Sequence, residues 1–450
     1  MNILLVDPPM NRSELYSEWD LSDVKSSSPP IGLLSIAAYA RARGHKVSFE
    51  MDEPEVVAIT AMTIQIEKAA FIAEQIKLFH PNALTVIGGS HVTACPEETL
   101  RRYPQFDFGV VGEGEIVFDE LLNALSKQGD FRTIQGLVFK DGPDICVNPR
   151  RAYIEDLDSL PYPAYDLLPD LMSYKLSPFG TKSRRSIGLV TSRGCPGQCT
   201  FCDRGVFGRR FRCHSAWYIY RLMRTLDDGR QGYGVKDFLF YDDLFVANRQ
   251  RLKEFCELIE PFNYTWSCCA RADFIDKEML PMMKRAGCHL IEYGIESGND
   301  EVLRLMKKNT TKKRVYETIE ATHEAGIQSK GNFIFGAPGE TLRSLENSIN
   351  FACALPLDYF QHTFFSPLPG SEVWDSASDY GDFIPDWGRC NTFSINFIPF
   401  GLSRETLLGM SKKAWLRFYL RPRIIWQELK KMNFNKLING AKAFWKTITR

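Results

Sequence analysis

The chain opens on Asn2-Ile-Leu-Leu-Val6, a short and almost wholly apolar run that reads as a strand buried on both faces. Asp7-Pro-Pro9 and a polar loop follow, until Pro29 and Pro30 open an apolar helix from about Ile31 to Arg43 that Gly44 stops. Strands are expected at Lys46 to Glu50 and Val56 to Ile59, then a helix at Ile66 to Phe79. Another strand, Leu84 to Ile87, ends in Gly88-Gly-Ser-His91, and Phe106 to Val111 runs into Gly112-Glu-Gly-Glu115 and a helix to about Lys127. Strand-helix alternation with glycine turns at the carboxyl ends of strands predicts an α/β, doubly wound parallel sheet that binds ligands at those ends. One connection breaks the pattern. Only five residues separate the strands at Lys46 to Glu50 and Val56 to Ile59, whereas a parallel crossover usually takes a dozen or more. The second strand is therefore expected to be displaced or antiparallel, or the domain to be shortened by one helix.

Residues 131–148 pattern as a hairpin, Gly136 to Lys140 and Asp144 to Asn148 around Asp141-Gly142, and 149–185 as a linker packed between domains. From 186 to 370 apolar strands are expected at Ile187 to Val190, at Phe238 to Tyr241 before the paired carboxylates, and in Trp266-Ser-Cys-Cys-Ala-Arg271; through the family resemblance that the cysteine loop carries, Tyr293-Gly-Ile-Glu-Ser-Gly298, Phe333-Ile-Phe-Gly-Ala-Pro-Gly-Glu-Thr341 and Phe365-Ser-Pro-Leu-Pro-Gly370 mark the fourth, fifth and sixth of six strand-helix repeats. Residues 371–450 form a mostly helical extension. The domain boundaries are thus 1–130, 131–185, 186–370 and 371–450.

Composition narrows the class. The 55 basic and 55 acidic side chains cancel, so the chain as a whole lacks a nucleic-acid footprint. Twelve cysteines are scattered without a secreted-domain framework, and neither a signal peptide nor a membrane-spanning stretch is visible, which predicts a reducing cytoplasm. The balance is uneven along the chain: residues 401–450 carry a net +10 and the first 400 a net −10. Trp415, Phe418, Tyr419, Ile424, Ile425, Trp426, Phe434, Phe444 and Trp445 are interleaved with those bases, as in helices that pack on an acidic body or rest on a lipid surface.

The chemistry concentrates at Cys195-Pro-Gly-Gln-Cys199-Thr-Phe-Cys202. A C-x3-C-x2-C loop supplies three thiolates to a cubane iron-sulfur cluster and leaves the fourth iron without a protein ligand. Three unrelated buried thiols, or a zinc loop that borrows His214, are the alternatives. Pro196 and Gly197 keep the loop from becoming a helix, and Phe201 would shield the cluster from water.

At this loop the chain resembles the radical S-adenosylmethionine (SAM) superfamily. That resemblance implies a 4Fe-4S cluster whose open iron chelates SAM, reductive cleavage to a 5'-deoxyadenosyl radical, and a partial (β/α)6 barrel. It places Phe201, Asp242 or Asp243, Arg271, Glu296 and Pro338 around SAM. Asp242 or Asp243 would meet its ammonium, Arg271 a carboxylate of SAM or substrate, Glu296 its ribose or methionine, and the Pro338 turn its adenine edge. Either aspartate alone reads equally as a helix cap. Cys268 and Cys269 are adjacent in a strand, so they point to opposite faces.

The amino-terminal turns resemble the cobalamin-binding domain of one large radical SAM class, through Asp7, Pro8, Thr60, Thr63, Gly88, Gly89, Ser90, Gly112, Glu113 and Gly114. No histidine sits in the Asp-x-His-x-x-Gly motif of the long-known cobalamin proteins. Phe418-Tyr-Leu-Arg-Pro422 is similar to a tail element of members that act on lipids and tetrapyrroles. The resemblance implies methylation of an unactivated carbon of a small molecule, with an electron donor of flavodoxin or ferredoxin type and possible peripheral membrane contact through the basic tail. A cobalamin-free dehydration, cyclisation or rearrangement is the second reading, and an iron-sulfur redox sensor or binding protein is a third.

Overall fold

The computed structural model describes residues 1–10, 28–228 and 233–431, apart from 175, 177–179 and 184. The polar loop before Ser28 and the tail aromatics Phe434, Phe444 and Trp445 therefore lie outside the described residues.

The amino-terminal sheet is built from β1 (Asn2–Val6), β2 (Lys46–Ser48), β3 (Val56–Thr60), β4 (Leu84–Gly88), β5 (Phe108–Val110), β6 (Leu137–Asp141) and β7 (Asp144–Val147), in the order β2-β1-β3-β4-β5-β6-β7. Strands β1 to β5 are parallel. β3 shows the two-sided burial that its run of apolar residues predicts. Val56 and Ala58 pack with α1 (Ile31–Arg41) and α4 (Gly114–Lys127) on one face, Val57 and Ile59 with α2 (Ile66–Phe79) on the other. A further helix, α3 (Pro96–Arg102), lies between β4 and β5.

The short connection resolves without a helix. β2 is parallel and only three residues long, and it lies outside β1, with Asn2 opposite Lys46 and Leu4 opposite Ser48, while β3 starts opposite Ile3. The chain thus crosses two strand spacings, about 10 Å, with almost no return along the strand, which residues 49–55 span easily.

The hairpin β6–β7 belongs to this sheet rather than to a separate linker. β6 pairs antiparallel with β5 through Gly109 and Val138, which covers an edge that β5 would otherwise expose.

The second unit is a six-stranded parallel sheet: β8 (Ser186–Leu189), β9 (Asp237–Phe240), β10 (Thr265–Ala270), β11 (Cys288–Glu296), β12 (Gln328–Phe335) and β13 (Tyr359–Phe364), paired in sequence order. Helices α5 (Ala216–Asp227), α6 (Arg249–Ile259), α7 (Leu280–Arg285), α8 (Asp300–Leu305), α9 (Lys312–Glu324) and α10 (Leu342–Ala354) connect them. Between sheet and helices Phe240 stacks on Phe245, and Phe255 and Trp266 meet Phe240 edge to face. Sequential parallel order with helical returns is the partial-barrel arrangement. The sixth strand precedes the expected motif, and Phe365 to Gly370 form the loop at its carboxyl end.

The carboxyl-terminal segment begins as irregular chain with a two-stranded ribbon, β14 (Gly381–Phe383) and β15 (Phe397–Pro399), and continues into the α-helices α11 (Arg404–Tyr419) and α12 (Pro422–Lys431). Trp387, between the ribbon strands, is buried in the first domain, 4.4 Å from the His91 ring and beneath Arg102. α11 packs on the barrel edge: Phe418 stacks on Phe360, and the Tyr419 hydroxyl donates to the Phe360 carbonyl at 2.7 Å. Leu420, Ile425 and Trp426 remain exposed.

Candidate functional site

The three cysteines lie on the loop 194–211 between the strands of a small antiparallel ribbon, Ser192–Arg193 with Arg212–Cys213. Gly194 has φ +85, and a Cβ there would stand 2.2 Å from the Arg210 carbonyl, so only glycine lets the loop close. Cys199 is buried, Cys195 half-buried and Cys202 exposed. Backbone bonds seat the loop: Cys195 N–H donates to Gly208, Thr200 N–H to Met306, and Val373 N–H to Thr200. Phe201 packs edge to face on Phe365 within a cluster that includes Met306, Ala337 and Val373, on the dry side of the loop. Among the described residues no three His, Cys, Asp or Glu side chains gather around one ion position; cubane thiolates each take a different iron. His214 is turned away from the loop, paired to Asp158 at 3.2 Å and stacked on Tyr218 at 3.8 Å.

Two cations stand beside the thiols. An Arg271 N–H points at Cys199 Sγ at 3.5 Å, while its other groups donate to Asp273 and to the Lys308 carbonyl at 2.8 and 2.6 Å. Its carboxylate partner in this arrangement is Asp273. Lys308 Nζ donates to Glu296 Oε1 at 2.6 Å with both side chains buried. Burial opposes the Lys308 charge, but the Glu296 carboxylate more than offsets this and raises its pKa. Glu296 has φ +65, a left-handed conformation that is uncommon outside glycine and that marks strain held by its surroundings.

The paired aspartates part company. Asp242 is 1 % exposed and accepts from Thr191 Oγ1 at 2.6 Å and Ser192 N at 3.0 Å, with Arg251 at 3.6 Å. Its oxygens hold the start of the cysteine loop. Asp243 opens to solvent beside the loop; its low-polarity surroundings, and then the Asp242 charge, hold its carboxyl above the usual range. Neither aspartate caps the next helix, because Asn248 does. The buried Pro338 sits in the turn after β12, which Glu340 pins by accepting from Gly336 N and Ala337 N at 2.6 and 3.2 Å. Cys268 is buried in the core and Cys269 partly exposed on the opposite face, as alternation requires.

A second site lies between the domains. A cavity of about 220 Å³ is lined by Thr60, Gly88, Gly89, Gly112, Glu113 and Gly114 from the strand ends, by the amino end of α1, by Pro161 and Pro163 of the linker, and by Arg193, Val206 and Phe207 next to the cysteines. Of the ten amino-terminal residues expected there, these six line it. Asp7, Pro8, Thr63 and Ser90 do not: Pro8 accepts from Gln65 at 2.7 Å, and Thr63 meets His91 at 3.2 Å. The donor set fits a corrinoid's demands. A side chain at Gly32 would project into open space, the lining is mostly apolar, and the cavity is below the roughly 300–1,000 Å³ typical of ligand pockets, so it takes one end of a large cofactor. The three thiols with two adjacent cations likewise fit an anionic cluster.

Lys308, Arg193, Arg212 and Glu115 were not foreseen. Glu115 is buried, accepts from Arg193 at 2.6 Å and Ser35 at 2.7 Å, and is held below its usual pKa: burial alone would raise it, and Arg193 outweighs that.

The Radical SAM superfamily model matches residues 189–352 and the B12 binding domain model residues 48–122. An uncharacterised methyltransferase of Pyrococcus horikoshii is 32% identical over 452 residues, covering 95% of each chain. An anaerobic magnesium-protoporphyrin IX monomethyl ester cyclase of Cereibacter sphaeroides is 28% identical over 88% of this chain and 65% of its own. In fold, the chain is similar to the cobalamin-dependent SAM radical enzyme OxsB, with TM-score 0.75 and 16% identity over 99% of this chain and 72% of that one. It is also similar to the radical SAM methyltransferase TsrM from Kitasatospora setae, with TM-score 0.72 and 16% identity over 94% and 89%. With its barrel, its cysteine loop and the cavity beside them, the chain belongs to the radical SAM superfamily, in the class that carries an amino-terminal B12 binding domain.

Proposed function

We propose that the protein methylates an unactivated carbon of a small molecule using a 4Fe-4S cluster, SAM and cobalamin. One observation carries this reading: the cavity at the strand ends of the first domain is walled on its far side by the residues that bracket the three cysteines, so the two cofactor sites adjoin. When bound, these groups supply one-electron cleavage of SAM and a transferable methyl. Cys195, Cys199 and Cys202 hold the cluster, and Arg271 and Lys308 balance its negative charge. Asp243 presents the free carboxylate for the SAM ammonium, Glu296 lies beside it, and the Pro338 turn takes the adenine edge. Phe201 and Phe365 close the loop's inner side to water, which protects a carbon radical. Thr60, Gly88, Gly89, Gly112, Glu113 and Gly114 cradle the corrinoid. Exposure at Cys202 suits a flavodoxin or ferredoxin donor. Leu420, Ile425 and Trp426, among Arg417, Arg421 and Arg423, suit peripheral contact with an anionic membrane; no described helix is long and apolar enough to cross one.

The test is anaerobic reconstitution with iron and cobalt quantified and products followed. Four irons and one cobalt per chain, with 5'-deoxyadenosine and S-adenosylhomocysteine both formed, are expected. Four irons with no cobalt uptake, and 5'-deoxyadenosine alone, would replace methylation with a cobalamin-free cyclisation or rearrangement. A Cys199→Ala protein that still cleaves SAM reductively overturns the cluster assignment.

A further inference from the structure

Four buried charges join the two cofactor sites. Glu113 and Glu115 come from the turn that closes the interdomain cavity, and Arg193 and Arg212 from the two strands that bracket the cysteine loop. Arg193 reaches both carboxylates, at 3.1 Å to Glu113 and 2.6 Å to Glu115, and Arg212 donates to both Glu113 oxygens at 2.8 and 3.0 Å. The side chains are 3–10 % exposed. The rest of the network is local to each side. Ser35 of α1 donates to Glu115, Ile154 N–H to Glu113, and Arg212 to the Phe207 carbonyl within the cysteine loop at 2.9 Å. Arg150 of the linker adds a bond to the Gly205 carbonyl of the same loop. Arg193 stands two residues before Cys195, and Glu113 and Arg193 both line the cavity.

Dry, bidentate ion pairs tolerate little displacement, because separating either partner leaves a buried charge uncompensated. The turn that shapes the cavity and the ends of the cysteine loop must therefore move as one piece. We propose that Arg193 and Arg212 are positioning residues that couple the two cofactor sites: filling the cavity fixes the loop that presents Cys195, Cys199 and Cys202, and an assembled cluster fixes the cavity. The inference rests on the reading of the cavity as the corrinoid site. Linkage makes the effect reciprocal, so each group raises the affinity for the other by one common factor.

The full-length protein is prepared anaerobically with and without its cluster, and hydroxocobalamin is titrated into each by absorbance. In parallel, the rate of iron extraction by a ferrous chelator is measured with and without hydroxocobalamin. Coupling of about 5-fold or more in the dissociation constant is expected, within the usual range for linked sites, together with slower iron loss from the corrinoid-bound protein. Arg193→Lys keeps the buried charge balance but cannot reach both carboxylates, so it folds and its coupling drops below about 2-fold. Arg193→Lys with the coupling of the parent, or a parent whose affinity is the same with and without cluster, overturns the inference while leaving the corrinoid site standing. Protein that takes up no hydroxocobalamin in either state overturns both.

Discussion

Replacing Glu340 with Gln is expected to remove a fall in stability between pH 5 and 8 that the parent protein shows. Glu340 is 1 % exposed; one oxygen accepts from Gly336 and Ala337, and the other, Oε1, is buried with no partner. Burial pushes its carboxyl up from 4.5 to about 8, against the pull of the two backbone donors. The native state therefore keeps a proton that the unfolded chain releases above pH 4.5. Stability from this group is fully present below that pH and is lost as pH rises to about 8, beyond which the loss is complete. At about 1.4 kcal/mol per pH unit, the 3.5 units between the two values set a ceiling of about 5 kcal/mol. For a unit of this size that is on the order of 10 °C in melting temperature. Gln offers the same acceptor to Gly336 and Ala337 and carries no charge at any pH. Melting curves of the cluster-free protein and of Glu340→Gln from pH 5 to 8.5 should converge at low pH and separate steadily above pH 5, the variant being the more stable. Curves that stay parallel across that range refute the reasoning.

Asp242→Asn leaves Arg251 as a buried charge without a counter-ion, so a loss of about 3–5 kcal/mol in denaturant unfolding and reduced iron content after reconstitution are expected. Gly287→Ala combines φ +91 with a Cβ 1.9 Å from the Tyr264 carbonyl, and should cost about 3 kcal/mol or more, read from the urea midpoint. Trp387→Ala withdraws the ring that packs on His91 and Tyr103; limited proteolysis should then cut the segment 381–399 faster, with little change in the barrel. Iron content equal to the parent's in Asp242→Asn, an unmoved midpoint in Gly287→Ala, or unchanged cleavage in Trp387→Ala would count against the respective arguments.

The elements were legible wherever a strand is buried on both faces or a helix carries a continuous apolar stripe. α2 falls on the expected residues, Ile66–Phe79. β13 was displaced by several residues, because its alternation of Tyr359, Gln361 and Thr363 with Phe360, His362 and Phe364 places a histidine on the core side, where it meets Ser411 of α11. The position of β2 and the capture of the hairpin by β5 depend on which sheet edge is free, and no local pattern carries that information.

At the site, the cysteine loop was legible because its spacing is itself the chemistry, whereas Arg193 and Arg212 find their carboxylates 78 to 99 residues away. The aspartate pair is legible from strand parity. Strand parity continues one step past the end of β9: Phe238 and Phe240 are buried in the core, so Asp242 shares their side, while Tyr241 and Asp243 share the open one. The same rule that separates Cys268 from Cys269 thus puts Asp242 and Asp243 on opposite sides of the strand. It works because a parallel strand buried on both faces has one side against helices and the other toward the barrel interior, where cofactor and substrate must meet.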